Sequence, residues 1–114
     1  MDVNLSVWNV CGLNQCARCS AIHELVMSEK VSLLCLQEEK LDVVNNSLIL
    51  DMLSLDFDYV ALPVVHSCGG ILVIWHNDMW IVSCPSFGLN HVMIMVALHS
   101  VLGQSWWLTF VYGP

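Results

Sequence analysis

The sequence predicts an α/β fold that continues into antiparallel β structure, and three observations predict it. Between Val3 and Leu36 an alternating strand pattern, a helical pattern and an apolar run succeed one another, the order of a βαβ unit. The apolar run, Val-Ser-Leu-Leu-Cys-Leu over 31–36, has the composition of a strand covered on both faces, as in parallel sheets. From residue 70 onward, short apolar stretches alternate with turn residues, as antiparallel strands do.

The elements follow in order. Val3, Leu5 and Val7 alternate with polar neighbours ahead of Trp8-Asn9-Val10, and Cys11-Gly12-Leu13-Asn14 supplies a turn. Asn14 can cap a helix, because its side-chain oxygen accepts an N–H that the first turn leaves unpaired. That helix is expected over about 15–30, where Ile22, Leu25, Val26 and Glu29 recur at helical spacing and should make it amphipathic. After the 31–36 strand, Asn45-Asn46-Ser47 marks a second helix start, with Leu48, Ile49, Met52 and Leu53 on one face, and Phe57 to Leu62 is the next strand. Gly69-Gly70 leads into a strand from Ile71 to Trp75. His76-Asn77-Asp78 has the composition of a hairpin turn, with Trp80 to Ser83 returning. Strands over 91–99 and 105–112 complete the series, with turns expected at 85–90 and 100–104. With no internal repeat, linker or low-complexity tract, the reading is a single domain.

Composition narrows the function classes. At 12.8 kDa roughly two-thirds of the unfolded surface can be buried, enough for a real core. A charged fraction of 11% against 57% hydrophobic residues excludes a disordered chain or a coiled coil. The net charge of -7, with Arg18, Lys30 and Lys40 as the only Lys or Arg, argues against a self-sufficient nucleic-acid binder, so phosphate chemistry here would need a metal cation. The most apolar run, 91–102, holds two histidines and falls short of the ~20 residues of a membrane span. Met1-Asp2-Val3-Asn4 does not begin a secretory signal, so an intracellular, reducing setting is expected and the six cysteines read as free thiols. Residues 79–114 contain no Asp, Glu, Lys or Arg, although a freestanding sheet should carry charges on its wet face. Such strands want a cover and would otherwise self-associate. The chain stops at Val111-Tyr112-Gly113-Pro114 directly after one of them, as a domain cut in half would.

Several groupings bear on chemistry. Leu36-Gln37-Glu38-Glu39 puts carboxylates at the C-terminal end of a buried strand, where open α/β sheets collect ligands and an acidic oxygen can hold a hard divalent cation. Such an acid is ordinarily a solvated loop residue, but Asn9 at the end of the neighbouring strand adds an amide to the same crevice. Cys16-Ala-Arg-Cys19 opens a helix after a strand, the setting of a redox dithiol, and so admits a small thioredoxin-like protein as an alternative. No aromatic residue directly precedes Cys16, and six scattered cysteines make chance spacing common. His66-Ser67-Cys68 is too tight for structural zinc, and His91 and His99 on an apolar strand read as packed residues. The five tryptophans, without interleaved cations, read as core rather than as stacking platforms for bases. Gly69-Gly70 lacks the further glycines and the helix of a phosphate loop and reads as a strand start.

Four segments in order resemble a known family: Ser6-Val7-Trp8-Asn9-Val10-Cys11-Gly12-Leu13-Asn14, Leu34-Cys35-Leu36-Gln37-Glu38-Glu39-Lys40-Leu41, Gly69-Gly70-Ile71-Leu72-Val73-Ile74-Trp75 and Phe110-Val111-Tyr112-Gly113-Pro114. Spanning nearly the whole chain, they look like the N-terminal half of the endonuclease/exonuclease/phosphatase domain, in the apurinic-endonuclease-like version of plant LINE-type non-LTR retrotransposons. The resemblance implies a four-layer α/β sandwich and Mg²⁺- or Mn²⁺-dependent hydrolysis of phosphodiester bonds. It also implies DNA as partner and a nuclear location. It makes Glu38 the metal-binding carboxylate, Asn9 the amide beside metal and phosphate, and Tyr112 the active-site phenol. The family's later Gly-Asp-x-Asn and Ser-Asp-His segments do not occur in these 114 residues, and none of the five histidines matches the catalytic one by motif. The expectation is a fragment with weak metal binding and no activity of its own. A translated pseudogene fragment is the further alternative, since Cys11, Cys19 and His23 stand where such domains carry basic residues, as cytosine deamination in arginine codons would leave them. Glu39 stands where the family usually has Thr and adds a second negative charge beside Glu38.

Overall fold

The computed structural model describes residues 4–10, 16–38, 56–62 and 70–112. In chain order these form β1 (Leu5–Val10), α1 (Cys16–Glu29), β2 (Leu33–Glu38), β3 (Phe57–Leu62), β4 (Gly70–His76), β5 (Trp80–Phe87), β6 (His91–Leu98) and β7 (Trp106–Val111). They build a four-stranded sheet, β1-β2-β4-β3, and a three-stranded antiparallel sheet, β5-β6-β7. β1 and β2 pair in parallel across α1, the expected βαβ unit, while β4 inserts antiparallel between β2 and β3. The expected second helix, with Leu48, Ile49, Met52 and Leu53, lies outside the described residues.

Period-two alternation along β2 and β4 separates two cores. Leu34, Leu36, Leu72 and Ile74 face α1, where Ile22, Val26 and Val31 close over them. Leu33, Cys35, Ile71, Val73 and Trp75 face the second sheet and meet Trp80, Val92, Ile94, Val96 and Phe110. The described residues thus form three layers, helix on sheet on sheet, with β2 buried on both faces as its composition predicts. Each fully buried Leu or Ile in these layers is worth about 1.5–3 kcal/mol.

α1 buries a narrower stripe than its spacing predicts: Ile22 and Val26 are inside, but Leu25 is 44% exposed. Its end is well defined. Lys30 adopts the left-handed conformation (φ 53°), and Val31 donates its N–H to Val26 O at 3.1 Å, so the helix closes in a Schellman turn with an apolar Val31–Val26 pairing. Asn4 Nδ2 caps the Glu29 carbonyl at 2.7 Å, and the Ser32 N–H bonds Asn4 O at 2.9 Å, which ties the start of β1 to the end of α1.

Two expected turns are corrected. His76-Asn77-Asp78 does not make a hairpin, because β2 and β3 already occupy both edges of β4; the chain instead crosses to the other sheet, held by Asn77 N–H to Asp56 O at 2.8 Å. Pro85 lies inside β5 rather than in a turn. The β5–β6 register shifts between Ser83 and Ser86, with Cys84 at φ 53°, so Pro85, which has no N–H to donate, sits in a bulge.

Candidate active site

β1 and β2 run side by side in the same direction, so their C-terminal ends fall together. Asn9 is in register with Gln37, and Glu38 is in register with Val10 on one side and Gly70 on the other. Strand geometry then sets the Cα atoms of Asn9 and Glu38 about 6 Å apart at that end of the sheet. The Asn9 and Glu38 side chains, like Glu39, lie outside the described residues, and so do those of Cys16 and Cys19 in the first turn of α1.

Tyr112 arrives from the other sheet. It follows β7, is half-buried against the inter-sheet core, and exchanges hydrogen bonds with the β5–β6 turn: its N–H donates to Asn90 O at 2.8 Å and Asn90 Nδ2 donates to Tyr112 O at 3.4 Å. The two sheets are latched at this end by Gln37 Nε2, which donates to Val111 O at 2.8 Å. One latch therefore joins the residue before Glu38 to the residue before Tyr112. Sequence reading overlooked both Gln37 and Asn90. A polar residue at the next inward position after Leu33 and Cys35 on an otherwise apolar strand is the signal that could have singled out Gln37.

The remaining sequence candidates lie elsewhere. His76 is at the opposite end of β4, edge-on to Phe57 with ring centroids 4.9 Å apart, and its Nδ1 accepts the Asp78 N–H at 3.2 Å. His99 Nε2 lies 3.0 Å from Asn77 O at the same pole, beside a cleft of about 710 Å³ lined by Lys30, Ser32, Asp56 and Met79 among others. His23 is on the exposed side of α1, and His91 is in register with Val111. His66 and Cys68 lie outside the described residues. Among the described residues no group of three or more His, Cys, Asp or Glu could hold a metal. Trp75 and Trp80 are core, the latter donating its indole N–H to Ser32 Oγ at 3.0 Å, but Trp106 and Trp107 are 42% and 53% exposed, which corrects the reading of all five as packing. The Cys35 thiol, sealed between the sheets, is pushed by burial from 9.0 up to about 12. No helix among the described residues is long and apolar enough to cross a membrane.

Among solved structures, the chain superposes on an AP endonuclease, LMAP, from Leishmania major with a TM-score of 0.68 at 21% identity, covering 96% of this chain and 40% of that one. It also superposes on an endonuclease/exonuclease/phosphatase family protein from Bacteroides thetaiotaomicron, with a TM-score of 0.63 at 10% identity over 94% of this chain and 49% of that one. The fold is the endonuclease/exonuclease/phosphatase fold. TDP2 from Caenorhabditis elegans shares it with a TM-score of 0.53 at 20% identity, covering 94% of this chain and 34% of that one. The chain therefore spans less than half the length of each of these endonuclease/exonuclease/phosphatase-fold proteins. No family model and no curated protein sequence matches it.

Proposed function

We propose that this chain is the N-terminal part of a divalent-metal-dependent phosphodiesterase, a DNA endonuclease of the retrotransposon type, and that it does not turn over DNA by itself. One observation carries the proposal: the parallel β1–β2 register and the Gln37–Val111 latch bring Asn9, Glu38 and Tyr112 to one end of a two-sheet scaffold. Glu38 and Asn9 are oxygen donors of the type Mg²⁺ or Mn²⁺ takes, which fits the ion, but one carboxylate and one amide leave most of its coordination to water and phosphate, so binding is weak. When bound, the cation polarises a phosphoryl oxygen and offsets charge on the leaving oxygen. In this reading Asn9 orients the phosphate beside Glu38, and the Tyr112 phenol donates a hydrogen bond to it from the second sheet. The chain contributes no Gly-Asp-x-Asn or Ser-Asp-His segment to orient water or move its proton, which supports inactivity. DNA as substrate and the nucleus as location belong to the same proposal.

The test pairs binding with turnover. Mn²⁺ titrated into the purified chain and followed by electron paramagnetic resonance should bind weakly, with Glu38→Gln weakening it about ten-fold. Supercoiled plasmid incubated with the chain and Mg²⁺ should not be nicked above the level of Glu38→Gln. Nicking that Glu38→Gln abolishes would overturn the inactivity, and Mn²⁺ binding indifferent to Glu38→Gln would overturn the site.

A further inference from the structure

We infer that Asn90, in the turn between β5 and β6, is the positioning residue that holds Tyr112 for phosphate contact; the inference rests on the reading of Tyr112 given above. Tyr112 stands one residue past the end of β7, whose register with β6 closes at the His91–Val111 pair. A residue beyond the last ladder pair frays unless something ties it down, and a phenol carried by a fraying residue samples many positions. Here three atoms are tied. The peptide group between Val111 and Tyr112 is held at both ends, its carbonyl by Gln37 Nε2 and its N–H by Asn90 O, each at 2.8 Å. The Tyr112 carbonyl then accepts from Asn90 Nδ2 at 3.4 Å.

Two of the three bonds come from Asn90, and its residue type explains how. The position opposite Tyr112 after the His91–Val111 pair is residue 90, and in an antiparallel ladder such a pair exchanges two N–H to carbonyl bonds. Asn90 makes the first with its own carbonyl and the second with its side-chain amide, which brings an N–H donor of its own to a point where the chain is already turning. The turn is closed on its other side. Gly88 donates its N–H to His91 O at 2.9 Å, and the His91 imidazole lies where a side chain on residue 88 would stand, so glycine there lets the ring cover the turn. The Tyr112 ring rests against the inter-sheet core, and the backbone clamp from Asn90 and Gln37 sets the point from which it reaches out. Asn90 itself is exposed, so truncating it costs the fold little and chiefly frees Tyr112.

Nuclear magnetic resonance on the 114-residue chain with isotope-labelled tyrosine reads the outcome, since Tyr59 and Tyr112 are its two tyrosines. In the presence of Mg²⁺, a thymidine dinucleotide, which carries one DNA phosphodiester, should shift the Tyr112 ring signals and leave those of Tyr59 in place. Asn90→Ala should weaken that response about five-fold, the weight of one hydrogen bond. The same variant should average the Tyr112 Hα–Hβ couplings over rotamers, with the Tyr59 couplings and the Glu38-dependent Mn²⁺ binding unchanged. A dinucleotide that leaves Tyr112 unshifted in the unaltered chain overturns the reading of the site, and this inference with it. A Tyr112 response and couplings that Asn90→Ala leaves as they were overturn the inference alone, as does a change that reaches Tyr59 equally.

Discussion

Cys35 gives a quantitative test of the two-sided burial of β2, the strand that carries Glu38. Its side chain is fully buried between the sheets, and burial raises its pKa from 9.0 to about 12. At pH 9 an ordinary thiol with that starting value is half ionised, whereas one at about 12 is ionised about one part in a thousand, so thiolate chemistry should slow about 500-fold before steric shielding is counted. Alkylation by iodoacetamide, quenched at intervals and read by mass spectrometry, measures it directly. Cleavage after Lys30 and Lys40 releases a 31–40 peptide in which Cys35 is the single cysteine, and the urea-unfolded chain supplies the reference rate. Labelling through global opening matches this rate only if stability falls below about 4 kcal/mol, which an unfolding curve under the same conditions reads. Between pH 9 and 12 the native thiol keeps a proton that the unfolded chain releases. The unfolded state therefore binds fewer protons, and stability falls as pH rises, by about 1.4 kcal/mol per pH unit, with no such slope below pH 9. Cys35→Val should flatten that slope. Native labelling within ten-fold of the unfolded rate, in a chain whose unfolding curve reads well above 4 kcal/mol, would refute the packing of β2 between the sheets.

Three further outcomes follow from single contacts. Lys30→Gly should stabilise the fold by about 0.5–1 kcal/mol in urea unfolding, because glycine adopts the left-handed conformation of the Schellman turn without strain. Ser32→Val should cost about 1–3 kcal/mol, since it leaves the buried Trp80 indole N–H without its acceptor. Gln37→Leu should cost only about 1 kcal/mol, but it should speed hydrogen exchange at the Tyr112 amide, which bonds Asn90 O beside the lost latch, while those of residues 33–36 stay protected.

The elements that short-range pattern dictates were legible in the residues. The helix, the doubly buried β2 and the Phe57–Leu62 strand each follow from apolar periodicity, which depends only on neighbours along the chain. The resemblance that groups Asn9, Glu38 and Tyr112 rests instead on four motif segments in order, and the sequence offered no reason why residues 74 apart, Gln37 and Val111, should bond. What tertiary structure decided was partner choice. His76-Asn77-Asp78 has the residues of a hairpin, yet β4 had no edge left to offer, so the same turn became a crossing between sheets. Leu25 has helical spacing and Trp106 and Trp107 have core composition, but burial depends on what lies opposite, and nothing among the described residues covers them. Local sequence sets which segments are strands and helices, because backbone conformation and side-chain alternation are properties of a few adjacent residues. Which strands pair, which sheet faces which and which ends converge into a site are set by competition for edges and apolar faces across the whole chain, and only the assembled fold resolves that competition.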